Sequence, residues 1–350
     1  LILGATFLLS ACSPDEPALE EVGAGPEEIE AVPQPEVEQA PVVLGTQLRE
    51  AHYDLDGLKE AGVLRVLVGY SHTHYFMDGL RIRGISAENL RQFEPFLQAA
   101  LGNPRPKINV LPLPVARDEM IDFLERGYGD IAIGNITVTE ERAAQVDFSV
   151  PIRRDVAEVI VHGEGVAPIE DLNALAGRTI FVRESSSFRE SLALLNLSFE
   201  EKGLAAVRVE ALDERLQTED ILELVNAGVI AITVADDHMA EFWAGVLDNI
   251  VVRTDLPVRT GRQIAWAVRK DLTGIKPVLD GYVREHRQGT LVGNVLFQRY
   301  LKNNSYVHNA SSSEDRKRLE ELTAVFKKYS TEYEFDWLLI AAQGYQESRL

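Results

Sequence analysis

The sequence predicts an α/β protein of two lobes, each an open sheet flanked by helices. Three observations lead there. Apolar runs of strand length alternate with helical patterns from Val63 to Phe148, the rhythm of an open α/β sheet. A second alternation follows from Ala157 to Ala235, with a further apolar run at Ile264-Ala265-Trp266-Ala267-Val268. With 45% hydrophobic residues, the roughly 300 residues after the N-terminal region can bury two cores.

Leu1 to Ala11 (LILGATFLLSA) is apolar, too short to span a bilayer, and lacks a basic leader. It runs into Leu9-Ser10-Ala11-Cys12, which resembles a bacterial lipobox. That resemblance implies a signal peptide over 1–11 and acylation of Cys12, an anchor made firm by more than one chain. Cys12 is the only cysteine, so no internal disulfide is available. Residues 12–48 read as a tether. Between Ser13 and Leu48 there are nine acidic residues, six prolines and no Lys or Arg. Such a segment cannot bury enough apolar surface to offset its ordering entropy. The formal charge of the whole chain is −20, and no basic surface for nucleic acid is expected.

The folded part is expected over 49–300. Val63 to Val68 reads as a buried strand, Ser86 to Leu101 as a helix, Ile108 to Leu113 as a strand and Arg117 to Arg126 as a helix. Between the first strand and that helix lies the loop Tyr70-Ser71-His72-Thr73-His74-Tyr75-Phe76. Two histidines at i, i+2 without a third ligand at a recognisable spacing make a poor metal site, and no metal or cofactor is assigned.

Gly129-Asp130-Ile131-Ala132-Ile133-Gly134-Asn135 reads as a short strand that stops at its glycine. Thr137 and Thr139 follow as hydroxyl caps before a helical turn, and Arg142 points back across it. Backbone N–H groups, two hydroxyls and a guanidinium at one edge suit a carboxylate. An ordinary strand–turn–helix with a solvated arginine has the same spacing. Together with Val146-Asp147-Phe148-Ser149-Val150-Pro151, however, the stretch resembles the signature of periplasmic solute-binding proteins that serve amino-acid importers. The resemblance implies a periplasmic-binding-protein fold with a discontinuous lobe one, at 49–152 and 263–300, and lobe two at 153–262. It also implies that Arg142 holds a ligand α-carboxylate, that Asn135 and Thr137 add hydrogen bonds, and that Tyr75 or Phe76 lies against the ligand. Core filling by the same aromatic is the equal alternative.

In lobe two, Glu184-Ser185-Ser186-Ser187 stands where that family has a Gly-Ser/Thr turn facing the ligand, and Ser186 is taken from it. The strand over Val229 to Ala235 ends in Asp236-Asp237. The resemblance gives Asp236 the ligand ammonium, with Asp237 as the competing carboxylate.

After the expected closing helix, Ile275 to Gly289, and the stretch Phe297 to Tyr300, the chain continues. Ser311-Ser312-Ser313-Glu314 contains a capping-box pattern, and Leu319, Leu322, Val325 and Phe326 recur at helical spacing. Phe335 to Leu350 reads as a buried helix capped by Asp336. Its end, Tyr345-Gln346-Glu347-Ser348-Arg349-Leu350, resembles the catalytic Glu-Ser motif of lysozyme-like lytic transglycosylases. A solute-binding domain before that motif resembles the family of membrane-bound lytic murein transglycosylase F, from about Gly62 onward. The resemblance implies that 301–350 begins a lysozyme-like domain in which Glu347 is both acid and base. It would protonate the glycosidic oxygen, then take the proton of the muramic C6 hydroxyl as a 1,6-anhydro ring closes. No second catalytic carboxylate is then required.

The expected partners are therefore peptidoglycan and its fragments, a small zwitterionic or peptide ligand, and a membrane reached through the lipid anchor. Ser13 after the cysteine points to the outer membrane, on its periplasmic side. With three residues after Glu347, the chain is expected to lack the rest of the catalytic cleft and to be inactive alone. The alternative is a lipoprotein amino-acid receptor of an importer, which the helices after Tyr300 and the Glu347 motif disfavour. A sensor module would need a membrane-spanning helix after lobe one, and the sequence there contains none. Cys12→Ala is expected to leave the precursor uncleaved and without lipid. A mutant processed and membrane-bound like wild type would contradict the lipobox.

Overall fold

The computed structural model describes residues 42–43, 46–47, 49–78, 81–304 and 306–307. The expected signal peptide with Cys12, most of the expected tether, and the segment carrying Glu347 lie outside the described residues. Strands β1 (Val42–Val43) and β2 (Thr46–Gln47) pair antiparallel. Helix α1 (Leu55–Ala61) starts at Asp54, whose carboxylate accepts from the Gly57 N–H, and ends at Gly62 in the left-handed region.

Strand β3 (Val63–Gly69) is the apolar run read from sequence, buried along nearly its whole length. A hairpin of β4 (Phe76–Asp78) and β5 (Arg81–Arg83) leads to α2 (Ile85–Ala100). Gly84 before that helix has φ +112°, and a Cβ there would lie 2.3 Å from the His74 carbonyl oxygen. Only glycine permits that approach. Next come β6 (Asn109–Val115), α3 (Glu119–Glu125), β7 (Ile131–Ile133), α4 (Glu140–Gln145) and β8 (Asp147–Phe148).

The chain then passes into a second sheet. There β9 (Arg153–Gly163), β10 (Thr179–Arg183), α5 (Ser187–Glu201), β11 (Arg208–Leu212), α6 (Thr218–Asn226), β12 (Ile232–Asp236), α7 (Asp237–Ala244) and β13 (Ile250–Ile264) follow in order. It returns as β14 (Ala267–Val268), then α8 (Lys276–His286) and α9 (Leu291–Leu301). The first sheet has order β6-β3-β7-β14-β8 and the second β11-β10-β12-β9-β13. Helices cover both faces of each, so each lobe has two apolar clusters, as a mixed sheet buried on both sides requires. The crossover strands are longer at their lobe-one ends than hydropathy suggests. The extra residues of β9, Arg153 to Val156, pair with Ile264 and Arg262 across a register shift and are polar enough to hide the strand.

The two crossings are bonded to each other and to the turn after β7. Ile152 N–H donates to the Ile264 carbonyl at 2.9 Å and Ser149 N–H to the Trp266 carbonyl at 2.9 Å. Ala265 N–H reaches the Ile136 carbonyl at 3.1 Å, and Val138 N–H the Gln263 carbonyl at 2.8 Å. A further strap comes from the C-terminal side. The Tyr300 hydroxyl donates to Glu88 of α2, whereas Leu301 belongs to a lobe-two cluster. Tyr306 stacks between Phe76 and Phe242, with ring centroids 5.6 and 6.0 Å away.

Beneath lobe one, Asp130 is fully buried and accepts from the Arg65 N–H, Nε and Nη2, with Arg269 Nη2 at 3.4 Å. Arg65 also donates to the carbonyls of Arg49, Ala51 and Gly127. Removing the carboxylate would strand two buried guanidinium groups. Asp130→Ala is expected to cost about 3–5 kcal/mol in urea unfolding. A loss below about 1 kcal/mol, the scale of an exposed pair, would contradict this account.

Candidate functional site: the cleft between the lobes

The turn after β7 is shaped by two left-handed residues, Gly134 at φ +137° and Asn135 at φ +52°. Asparagine tolerates that region better than most residues, and here its side chain has work on both sides. Asn135 Nδ2 donates to Asp236 Oδ2 at 2.6 Å, and its Oδ1 faces His238 Nε2 at 3.1 Å. Both partners belong to lobe two. From below, Arg117 donates to the carbonyls of Gly134 and Asn135 at 3.0 and 2.6 Å.

Thr139 caps α4, its hydroxyl accepting from the Arg142 N–H. Thr137 is buried in an isolated bridge to Ile264 at the crossing. Arg142 spans the cleft: Nη1 donates to the Thr137 carbonyl at 2.8 Å and Nη2 to the Ser185 carbonyl at 2.9 Å. Ser185 is itself fixed by Glu214, which accepts from its N–H at 2.9 Å and its hydroxyl at 2.5 Å. Burial, with the charges of Arg117 and Arg262 nearby, brings the Arg142 guanidinium down to about 10, still charged at neutral pH. Arg183, also at the mouth of this turn, falls to about 10 for the same first reason and through Arg117. A third bridge joins Ser71 Oγ to Glu219 Oε1 at 2.6 Å.

The structure thus brings Asn135, Thr137, Arg142 and Asp236 to one cleft. Of the two consecutive aspartates, Asp236 is 2% exposed and meets lobe one. Asp237 instead holds His238, through its N–H at 2.7 Å and its ring at 3.2 Å. Ser186 sits on the expected turn, but its hydroxyl donates to the Arg183 carbonyl, and Ser185 is the serine that Arg142 meets. Tyr75 is packed in the lobe-one core, and Phe76 is taken up by the Tyr306 stack. Arg117, Arg183, Glu214 and Glu219 were not singled out from sequence. Only Arg117 had a signal, a cation just beyond the carboxyl end of a strand.

Beside Asn135, on the hinge side, is a cavity of about 90 Å³ whose walls include His74, Asn89, Arg153, Trp266 and Phe297. Arg153 lies over the Phe297 ring, 4.9 Å from its centre. His72 is exposed and His74 buried, so the two do not face one site. Among the described residues no group of three or more His, Cys, Asp or Glu could hold a metal ion.

Burial, then the charges of Arg117 and His238, hold His74 down at about 3 against an ordinary 6.5. The unfolded chain therefore takes up this proton first as pH falls. The stabilising term is complete above pH about 6.5 and is lost towards pH about 3, with about 2 kcal/mol gone by pH about 5. His74→Gln should flatten that part of the stability–pH curve measured by denaturant unfolding. An unchanged slope would place the titration elsewhere.

Residues 76–334 match the bacterial extracellular solute-binding proteins, family 3. Membrane-bound lytic murein transglycosylase F of Pseudomonas putida (strain W619) is 27% identical over 302 residues, 84% of this chain and 58% of that protein. The protein of the same name from Desulfosudis oleivorans is 27% identical over 234 residues, 66% of this chain and 50% of that one. The chain thus spans half to three-fifths of the length of these curated relatives. An ancestral arginine-binding protein bound to glutamine aligns with TM-score 0.54 and 20% identity, covering 69% of this chain and 99% of that one. A solute receptor for L-cysteine of Neisseria gonorrhoeae aligns with TM-score 0.55 and 20% identity, covering 75% and 98%. These likenesses bear on the fold: two α/β lobes joined by paired crossings, with polar groups meeting between them. The chain belongs to the bacterial extracellular solute-binding proteins, family 3.

Proposed function

We propose that this chain is the ligand-binding part of a membrane-anchored lytic transglycosylase of peptidoglycan. Its interlobe cleft would take a small zwitterionic or peptide ligand and, through it, regulate the catalytic domain. The observation that carries the ligand reading is the opposed pair of charges on the two walls. Among the described residues, Arg142 on lobe one bonds lobe two through a backbone carbonyl, and Asp236 on lobe two bonds lobe one through a neutral amide. A carboxylate is a stronger partner for the arginine than a carbonyl, and an ammonium a stronger partner for the aspartate than an amide. A ligand carrying both can replace both bridges without opening an unpaired charge.

The enzyme reading is supported by the names of the relatives aligned over 84% of the chain. In it, 1–11 is a signal peptide, Cys12 the lipidated residue, 12–48 a tether and 301–350 the start of the catalytic domain. Glu347 is the acid and base that splits the bond between N-acetylmuramic acid and N-acetylglucosamine with a 1,6-anhydro product. The protein would lie at the periplasmic face of the outer membrane. An importer's amino-acid receptor is the second reading, favoured by the solved structures the fold resembles.

Calorimetry against amino acids and peptidoglycan stem peptides is expected to find a ligand whose affinity falls about 30- to 1000-fold in Arg142→Ala, about 2–4 kcal/mol. A ligand indifferent to Arg142 would refute the site. The parent protein with its downstream segment is expected to release anhydro-muropeptides, and Glu347→Gln to abolish them, by mass spectrometry of the digest. Anhydro products from that variant would move catalysis to another residue.

A further inference from the structure

Beneath the cleft lies an acidic group that the two bridges do not use. Glu158 on β9 stands directly opposite Asp236 on β12 in the antiparallel register. Opposite residues of such a pair put their side chains on the same face, with Cβ atoms about 4.5–5.5 Å apart. Glu158 is fully buried and Asp236 is 2% exposed. Each has one oxygen committed: Glu158 Oε1 accepts from the Ser187 hydroxyl at 3.0 Å, and Asp236 Oδ2 from Asn135 at 2.6 Å. The other oxygen of each, Glu158 Oε2 and Asp236 Oδ1, is buried without a hydrogen-bond partner among the described residues. Two buried carboxylates with two unspent oxygens call for a shared proton or a cation.

Arg262 on β13 lies 3.3 Å from Glu158 Oε1 and divides its charge with Glu190 of α5 at 3.7 Å. Ser187 and Ser191 of α5 add hydroxyls. On the Asp236 side stand Asn135, His238 with its partner Asp237, and Arg117 and Arg153, each within range of the aspartate's charge. Burial, and then the Asp236 charge, push the Glu158 carboxyl up from its ordinary value.

We infer that Glu158 is a specificity-determining residue of the cleft, joining Asp236 to hold the ammonium group of the ligand in exchange for a proton. The inference rests on the reading of the cleft as a ligand site. In the exchange a proton held between the two unpartnered oxygens goes to solvent as the ammonium arrives. The two carboxylates then face the ligand cation on one side and Arg262 on the other. Ligands lacking a cationic nitrogen would leave the proton in place and gain nothing from this floor.

The test has two arms. In carboxyl ¹³C NMR of the protein, the Glu158 signal, assigned by its loss in Glu158→Gln, is expected to titrate above the ordinary glutamate range. It should move down in Asp236→Asn. An ordinary titration would overturn the shared proton and the inference with it. The second arm is calorimetry with the same amino acids and stem peptides, from about pH 5 to about pH 8, in buffers of different ionisation enthalpy. Wild type should release up to one proton per ligand bound, and its affinity should rise up to about tenfold per pH unit below the Glu158 titration. Glu158→Gln, which copies the protonated shape, should release none and bind about tenfold or more weakly at pH about 8. Binding that needs Arg142 yet releases no proton from wild type would overturn the role of Glu158 and leave the cleft reading standing. Failure of every ligand to bind wild type would overturn the cleft reading, and this inference with it.

Discussion

Asn135 is the point on which the arrangement of the two lobes depends. It is held in a left-handed conformation by its place after Gly134, its carbonyl is taken by Arg117, and its side chain bonds both Asp236 and His238 of the other lobe. A charge-assisted hydrogen bond of this kind is worth about 1.5–3 kcal/mol, more than an exposed ion pair. The crossings at Ile152 and Ile264 and the strap at Tyr306 bring the lobes near each other. Asn135 decides which groups meet.

The interior of the cleft is unusually rich in charge for a contact between lobes. Arg117, Arg142 and Arg183 are each lowered by burial, and Asp236, Glu158, Glu214 and Glu219 lie among them. Burying such groups is costly unless each finds a partner, and replacing them by apolar residues would often stabilise a fold. Their partners here are mainly backbone carbonyls and hydroxyls rather than opposite charges. An arrangement that binds its charges through neutral groups can exchange those groups for a charged ligand. That is a property of a binding site more than of a structural interface.

Much of the fold was legible in the sequence because its signals are local. The strand–turn–helix from Asp130 to Gln145 follows from an apolar triplet, a glycine and a threonine cap, all within a few turns of chain. The cleft was legible at Arg142 and Asp236 only as residue types in a familiar order. What they touch was not, since Asn135 and Asp236 are 101 residues apart. Glu158 shows the limit most clearly. Its strand reads as ordinary, and its significance appears only when the register sets it opposite Asp236. The direction of Tyr75 was likewise hidden, because the core it packs into is built from residues as far along the chain as Trp266 and Tyr282.

The most direct measurement is a double-mutant cycle on Asn135→Ala and Asp236→Ala, read by denaturant unfolding of the protein. If the bond between them joins the lobes, the two losses should fall short of additivity by about 1–3 kcal/mol. Losses that add to within about 0.5 kcal/mol would mean that the two side chains act independently, and the account of the cleft built on their contact would be wrong.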